Sequence, residues 1–152
     1  MPTLTHPDDL IRRLRLDRRQ GFIIIGRPGE GKTRLARTMA ARYDGRYLDL
    51  LAQFAADPAL STALDTLTPQ WFRAYLQPYA TGSLVLVDEM EFLWHCWDMP
   101  DKQQFLSILS RWSKPAFFGV FLPPDPVLEA FSMTDQDGLP RKFLLTELQG
   151  LE

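Results

Sequence analysis

Apolar positions along the chain fall into two alternating kinds of run. Phe22-Ile23-Ile24-Ile25, Leu84-Val85-Leu86-Val87 and Ala116-Phe117-Phe118-Gly119-Val120-Phe121-Leu122 are short and nearly continuous. Runs of that kind suit strands covered on both faces. Arg46 to Leu50 and Phe143 to Leu148 read as two further strands. Between them the apolar residues recur at helical spacing, as in Leu10, Ile11 and Leu14, then Leu35, Ala36, Met39, Ala40 and Tyr43. The same spacing returns in the aromatic stripe from Trp71 through Phe72, Tyr75 and Leu76 to Tyr79, and in Phe105, Ile108, Leu109 and Trp112. Helices are therefore predicted over about 7–18, 34–43, 69–79, 101–112 and 126–131, with 51–82 the least regular part. Thr5, Thr68 and Asp101 are the expected caps of the first, third and fourth, and Asp44-Gly45 stops the second.

Strands that alternate with helices predict an α/β fold with a parallel sheet and helices on both faces. The 152 residues suffice for one domain, 1–152, made of an N-terminal helical segment (1–20) and a core (21–148). No apolar run approaches the ~20 residues of a membrane span, and Met1-Pro2-Thr3-Leu4-Thr5-His6 lacks the basic-then-apolar order of a leader. A cytoplasmic location without membrane contact is the expectation. Cys96 is the single cysteine, which excludes an internal disulfide and a cysteine-based metal centre, and His6 and His95 are distant in sequence.

Net charge is −2, but residues 1–50 carry 11 Lys/Arg against 6 Asp/Glu and the remainder carry 6 against 13. Such asymmetry favours association between copies or with a charged partner, or it reflects solvated helix faces. Arg12, Arg13, Arg15, Arg18 and Arg19 offer a nucleic-acid contact, although no aromatic is interleaved for stacking.

The chemistry concentrates in two places. Gly26-Arg27-Pro28-Gly29-Glu30-Gly31-Lys32-Thr33 fits G-x-x-x-x-G-K-[ST] at every fixed position, between an apolar strand and a helix. In that context the loop wraps a phosphate with backbone N–H groups, and the helix aims its positive end at it. Lys32 then reaches the β- and γ-phosphates, Thr33 ligates Mg²⁺, and Arg34 stands beside them at the helix start. The second place is Asp88-Glu89, an acidic pair ending a buried strand, where open parallel sheets bind ligands. Asp88 supports Mg²⁺, and Glu89 orients and deprotonates an attacking water. Trp94 and Trp97 follow closely, as core caps or as an exposed anchor.

Together the two sites resemble the Walker A and Walker B motifs of P-loop NTPases, and the Asp-Glu ending is similar to the AAA+-like ATPase branch. The resemblance implies a three-layer α-β-α fold of strand order 5-1-4-3-2, ATP and Mg²⁺ as ligands, and ATP hydrolysis. It implies Arg141, just before the fifth strand, as an arginine acting on a neighbour's phosphate, with Arg111 as second choice. The family's polar sensor is missing, because the fourth strand ends Leu122-Pro123-Pro124. A C-terminal helical lid is not expected, since the sequence stops soon after the fifth strand. Size and layout are similar to the small P-loop proteins of type 3 BREX phage-defence systems, which implies homo-oligomers or complexes with other defence proteins. Two functions from different classes follow: an ATPase active in assemblies, and a nucleotide-dependent adaptor with little hydrolysis. A small-molecule kinase is disfavoured, because 123–140 holds no arginine to clamp a phosphate.

Overall fold

The structure, a computed structural model, describes residues 5–150. The ends of the expected 1–152 domain lie outside the described residues. Helix α1 (Pro7–Arg15) leads into β1 (Phe22–Ile25), α2 (Lys32–Arg42) and β2 (Arg46–Asp49). A set of short helices follows: α3 (Leu50–Ala55), α4 (Pro58–Thr62) and α5 (Pro69–Leu76). The remainder runs β3 (Val85–Asp88), α6 (Glu91–Cys96), α7 (Met99–Arg111), β4 (Phe118–Leu122), α8 (Pro126–Ala130) and β5 (Lys142–Leu144).

All five strands are parallel, in the order β2-β3-β4-β1-β5. Counted from the β5 edge this reads 5-1-4-3-2. Strand alternation splits the core into two layers. Phe22, Ile24, Leu84, Leu86, Phe117 and Phe121 face α1 and α2, against Leu10, Leu14, Ala36 and Met39. Ile23, Ile25, Val85, Val87, Val120 and Leu122 face the other way, onto Phe72, Leu93, Trp94 and Phe105. Helices thus cover both faces, which explains why β1, β3 and β4 are buried at every position. Among the described residues no helix is long and apolar enough to cross a membrane.

Several local expectations need correction. The cap of α1 is His6, not Thr5: its Nδ1 accepts from the Asp8 N–H at 3.0 Å, while Thr5 pairs with Leu148. The cap of α7 is Asp98, not Asp101: its side chain accepts from the N–H of Asp101 at 2.9 Å, so the helix starts earlier, at Met99. The region 51–82, expected to be the least regular, is helical in short pieces, the first two capped by Asp49 and Asp57. Thr68 does cap α5, accepting from the Trp71 N–H at 3.1 Å. Beyond Leu144 the chain turns into a 3₁₀ segment, Leu145–Glu147, so β5 is shorter than its apolar run.

Part of the N-terminal positive charge is used internally. Arg42 grips Asp8 with two hydrogen bonds of 2.7 Å, and Arg13 meets Asp135 at 3.2 Å. Arg18 and Arg19 stay exposed.

Candidate functional site

The carboxyl ends of β1 and β3 deliver the two motifs to the same edge of the sheet, separated by β4. After Ile25 the chain leaves β1 and folds through a loop that closes on itself. The Glu30 N–H donates to the Arg27 carbonyl at 3.1 Å, and the Glu30 carboxylate accepts from the Arg27 N–H. Gly29 and Gly31 take left-handed φ angles of 83° and 100°, where a Cβ would be strained. Gly26 is required by space instead: a Cβ there would lie 2.7 Å from Lys32 Cγ. The Lys32 side chain folds back over this glycine. Its Nζ donates to the Gly26 carbonyl at 2.6 Å and pairs with Glu91 Oε1 at 3.1 Å.

Helix α2 starts at Lys32 without a side-chain cap and without an acidic residue in its first turn. Helices α1, α3, α4, α5, α7 and α8 each have a capping side chain. The first N–H groups of α2, at the positive end of an eleven-residue helix, are therefore left for an anion.

On β3 the alternation that turns Leu84 and Leu86 toward α2 also turns Asp88 that way. Thr33 stands in the first turn of α2, and its Oγ1 lies 2.7 Å from Asp88 Oδ2 and 3.1 Å from Glu89 Oε1. One hydroxyl proton serves one of these acceptors at a time. Asp88 is almost fully buried and also accepts from the Tyr47 hydroxyl on β2, at 2.8 Å. Burial pushes the Tyr47 phenol up to about 12, with Asp88 adding to the shift. Tyr47 thus stays protonated and holds the carboxylate, while Arg37 lies over its ring at 4.9 Å. Glu89 follows the strand with φ 59°, a left-handed conformation rare outside glycine. That kink ends the strand and places the Glu89 side chain by Thr33.

Two clefts flank the loop. One of about 550 Å³ is bounded by Arg27, Lys32, Thr33, Arg34, Glu89 and Glu91. The other, about 600 Å³, has Leu35, Leu145 and Leu148 on its apolar side and Arg34 and Thr38 on its polar side. Arg34 borders both, and Arg27, Pro28, Gly29 and Glu30 are exposed at the rim.

The structure thus brings Gly26 to Arg34, Asp88 and Glu89 together, but not Arg141. The expectation that Arg141 reaches a neighbour's phosphate is corrected. Its side chain is 1% exposed, and its guanidinium donates to the carbonyls of Thr134 (2.9 Å), Gly21 (2.7 Å) and Ser110 (2.9 Å). It stands before β5, at the sheet edge opposite the loop. Arg111, ending α7, is exposed. Trp94 and Trp97 are buried, so the core reading of that pair holds; Trp94 Nε1 donates to Asp125 at 3.2 Å and Trp97 Nε1 to the Leu67 carbonyl at 2.9 Å. Beyond the β4 end, Asp125 is occupied by Trp94 and by Lys102, at 2.8 Å. Sequence reasoning missed Tyr47 and Glu91. Glu91 had a faint signal, the third carboxylate within four residues; Tyr47 had none, because only strand pairing brings β2 beside β3.

The donor set suits a hard cation. Thr33 and Asp88 set neutral and anionic oxygen 2.7 Å apart beside the loop, and these are the residues that would hold Mg²⁺ were it bound there. Among the described residues no group of three or more His, Cys, Asp or Glu forms a cage, so the protein alone would supply only part of the coordination. A scan against protein-family models finds no match for this chain, and no curated protein matches it.

Proposed function

We propose that this chain is an ATPase subunit of the P-loop kind, of the AAA+-like branch, that binds ATP with Mg²⁺ at the Gly26–Thr33 loop and hydrolyses it. The observation that carries the reading is the convergence on Thr33. Its hydroxyl lies within hydrogen-bond reach of both Asp88 and Glu89, from a motif 55 residues away in sequence. Phosphate oxygens accept from the uncapped N–H groups of α2, and Lys32 neutralises charge on the terminal phosphates. Thr33 and Asp88 hold Mg²⁺, which, when bound, offsets the negative charge that develops on the phosphates. Glu89 accepts a proton from water aligned with the terminal phosphorus. The cleft between Leu35, Leu145 and Leu148 takes the nucleoside, with Arg34 at the junction.

Assembly belongs to the same proposal. Arg111 is the exposed arginine that carries the trans-acting role once Arg141 is set aside. The likeness to the small P-loop proteins of BREX systems extends it to complexes with other phage-defence proteins in the cytoplasm. Any nucleic-acid contact through Arg18 and Arg19 is indirect.

Steady-state phosphate release tests the reading, measured against protein concentration with Lys32→Ala, Glu89→Gln and Arg111→Ala. Lys32→Ala abolishes nucleotide binding. Glu89→Gln retains binding and loses turnover by a factor of about 10²–10⁴, the usual weight of a general base. Phosphate release that survives in both variants overturns the ATPase assignment. A second reading, a nucleotide-dependent adaptor, is favoured by the apolar Leu122-Pro123 end of β4. It predicts that Glu89→Gln leaves partner binding unchanged while Lys32→Ala removes it.

A further inference from the structure

We infer that Glu91 is a positioning residue that competes with phosphate for Lys32 and so sets the affinity of the loop for nucleotide. The inference rests on the proposed phosphate-binding role of that loop. Lys32 has three ammonium donors. One is held by the Gly26 carbonyl at 2.6 Å, and the ammonium also lies 3.1 Å from Glu91 Oε1 in an ion pair. The Lys32 side chain is 9% exposed and that of Glu91 28% exposed, so the pair is screened less than a surface pair. Glu91 opens α6 directly after the β3 acids and borders the same cleft as Thr33 and Glu89. A phosphate that takes the Lys32 ammonium therefore displaces a carboxylate, and it also enters a cleft that holds this third negative charge.

The Glu91–Lys32 pair acts in two ways. It keeps the lysine folded over Gly26, at the phosphate end of the loop and out of solvent. It also subtracts from binding free energy, because phosphate must displace a carboxylate already paired with the ammonium. The acid is thus distinct in role from its neighbours: Asp88 and Glu89 address the Thr33 hydroxyl, whereas Glu91 addresses the ammonium. Removing its charge while keeping its shape should tighten phosphate-bearing ligands and leave others alone.

The test compares the full chain with Glu91→Gln and Glu91→Asp, using a fluorescent ATP analogue with Mg²⁺, pyrophosphate as competitor, and adenosine. Circular dichroism and thermal melting report folding. Glu91→Gln is expected to bind the ATP analogue and pyrophosphate about two- to fivefold more tightly, the factor that a partly exposed ion pair of ordinary strength supplies. Adenosine affinity is expected to stay the same, and Glu91→Asp, one methylene shorter, should show a smaller gain. If the parent binds ATP but folded Glu91→Gln binds it equally or more weakly, the inference is overturned and the phosphate-loop reading stands. Equal tightening of adenosine overturns it too, because Glu91 would then act on the fold and not on Lys32. If neither protein binds ATP or pyrophosphate at millimolar concentration, the loop reading itself falls and the inference with it. Should Glu91→Gln unfold, Glu91→Asp decides: a gain supports the competition and no gain refutes it.

Discussion

Truncating Arg141 separates a structural strut from a catalytic arginine. Its guanidinium is buried and donates to three carbonyls contributed by distant segments, Gly21 before β1, Ser110 in α7 and Thr134 in the loop before β5. The same residue ties its own backbone down, with its N–H on the Met133 carbonyl at 2.8 Å and its carbonyl accepting from Ile23 at 2.9 Å. Burial pushes its pKa below the ordinary arginine value, and the charges of Asp17 and Asp135 favour the cation against that. Arg141→Ala keeps the backbone bonds but leaves the carbonyls without their donor and opens a cavity. A hydrogen bond to a charged group contributes about 1.5–3 kcal/mol, and relaxation and water entry recover part of the loss, so the expected cost is about 3–5 kcal/mol. That is a large share of the ~5–15 kcal/mol that holds a domain together. Urea unfolding followed by tryptophan emission measures it, and thermal melting should fall by roughly 10 °C. Arg141→Lys keeps the charge without the planar fork and should recover part of the loss. An Arg141→Ala protein within about 1 kcal/mol of the parent, yet selectively deficient in concentration-dependent hydrolysis, would refute the strut and restore the trans-acting role.

Two further outcomes follow from backbone and charge. Glu89 sits at φ 59°, so Glu89→Gly relieves a conformation that costs a side-chain-bearing residue about 1 kcal/mol, against a similar entropic loss for glycine. Glu89→Gly should match the parent in stability within about 0.5 kcal/mol and exceed Glu89→Ala, while both lose phosphate release; denaturant midpoints and turnover check this. Asp17 is buried, which pushes its carboxyl up, but the N–H groups of Gln136 and Arg19 and the nearby Arg141 charge outweigh that and leave it below 3.8. Asp125 is lowered on balance as well: burial raises it, and Lys102 and the Val127 N–H outweigh that. A carboxyl depressed by folding contributes stability that is full above its unfolded value and is lost as pH falls through the folded one. Unfolding free energy should therefore fall below about pH 4, and Asp17→Asn should flatten that limb; an unchanged acid limb in Asp17→Asn contradicts the assignment.

Glu89 and Arg141 show how far the chain could be read without coordinates. Asp88-Glu89 was legible because a continuous apolar strand ended in two carboxylates, and strand alternation alone turns Asp88 toward the α2 face. The kink that brings Glu89 to Thr33 was not legible, since a left-handed φ at a glutamate has no sequence signature. Arg141 was misread for the opposite reason. The resemblance to P-loop ATPases assigns a trans-acting arginine to the position before the fifth strand, and only the packing of β1, α7 and the 133–140 loop buries Arg141. The caps divide the same way: Thr68-Pro69 was unambiguous, whereas His6 and Asp98 outcompeted Thr5 and Asp101 through local geometry at 3.0 and 2.9 Å.

By itself the sequence determined what depends on local pattern. Apolar runs of strand and helix period specify the element types and the parallel α/β arrangement, and Gly26–Thr33 supplies the glycines and the lysine that a phosphate loop needs. Tertiary structure decided what depends on which residues meet. Lys32 and Glu91, Thr33 and Asp88, and Tyr47 and Asp88 are far apart in the chain and face one another only because β2, β3, β4 and β1 pair in that order. Electrostatic and hydrogen-bond energies fall steeply with distance, so the partner of each charge is settled by the fold and not by the composition.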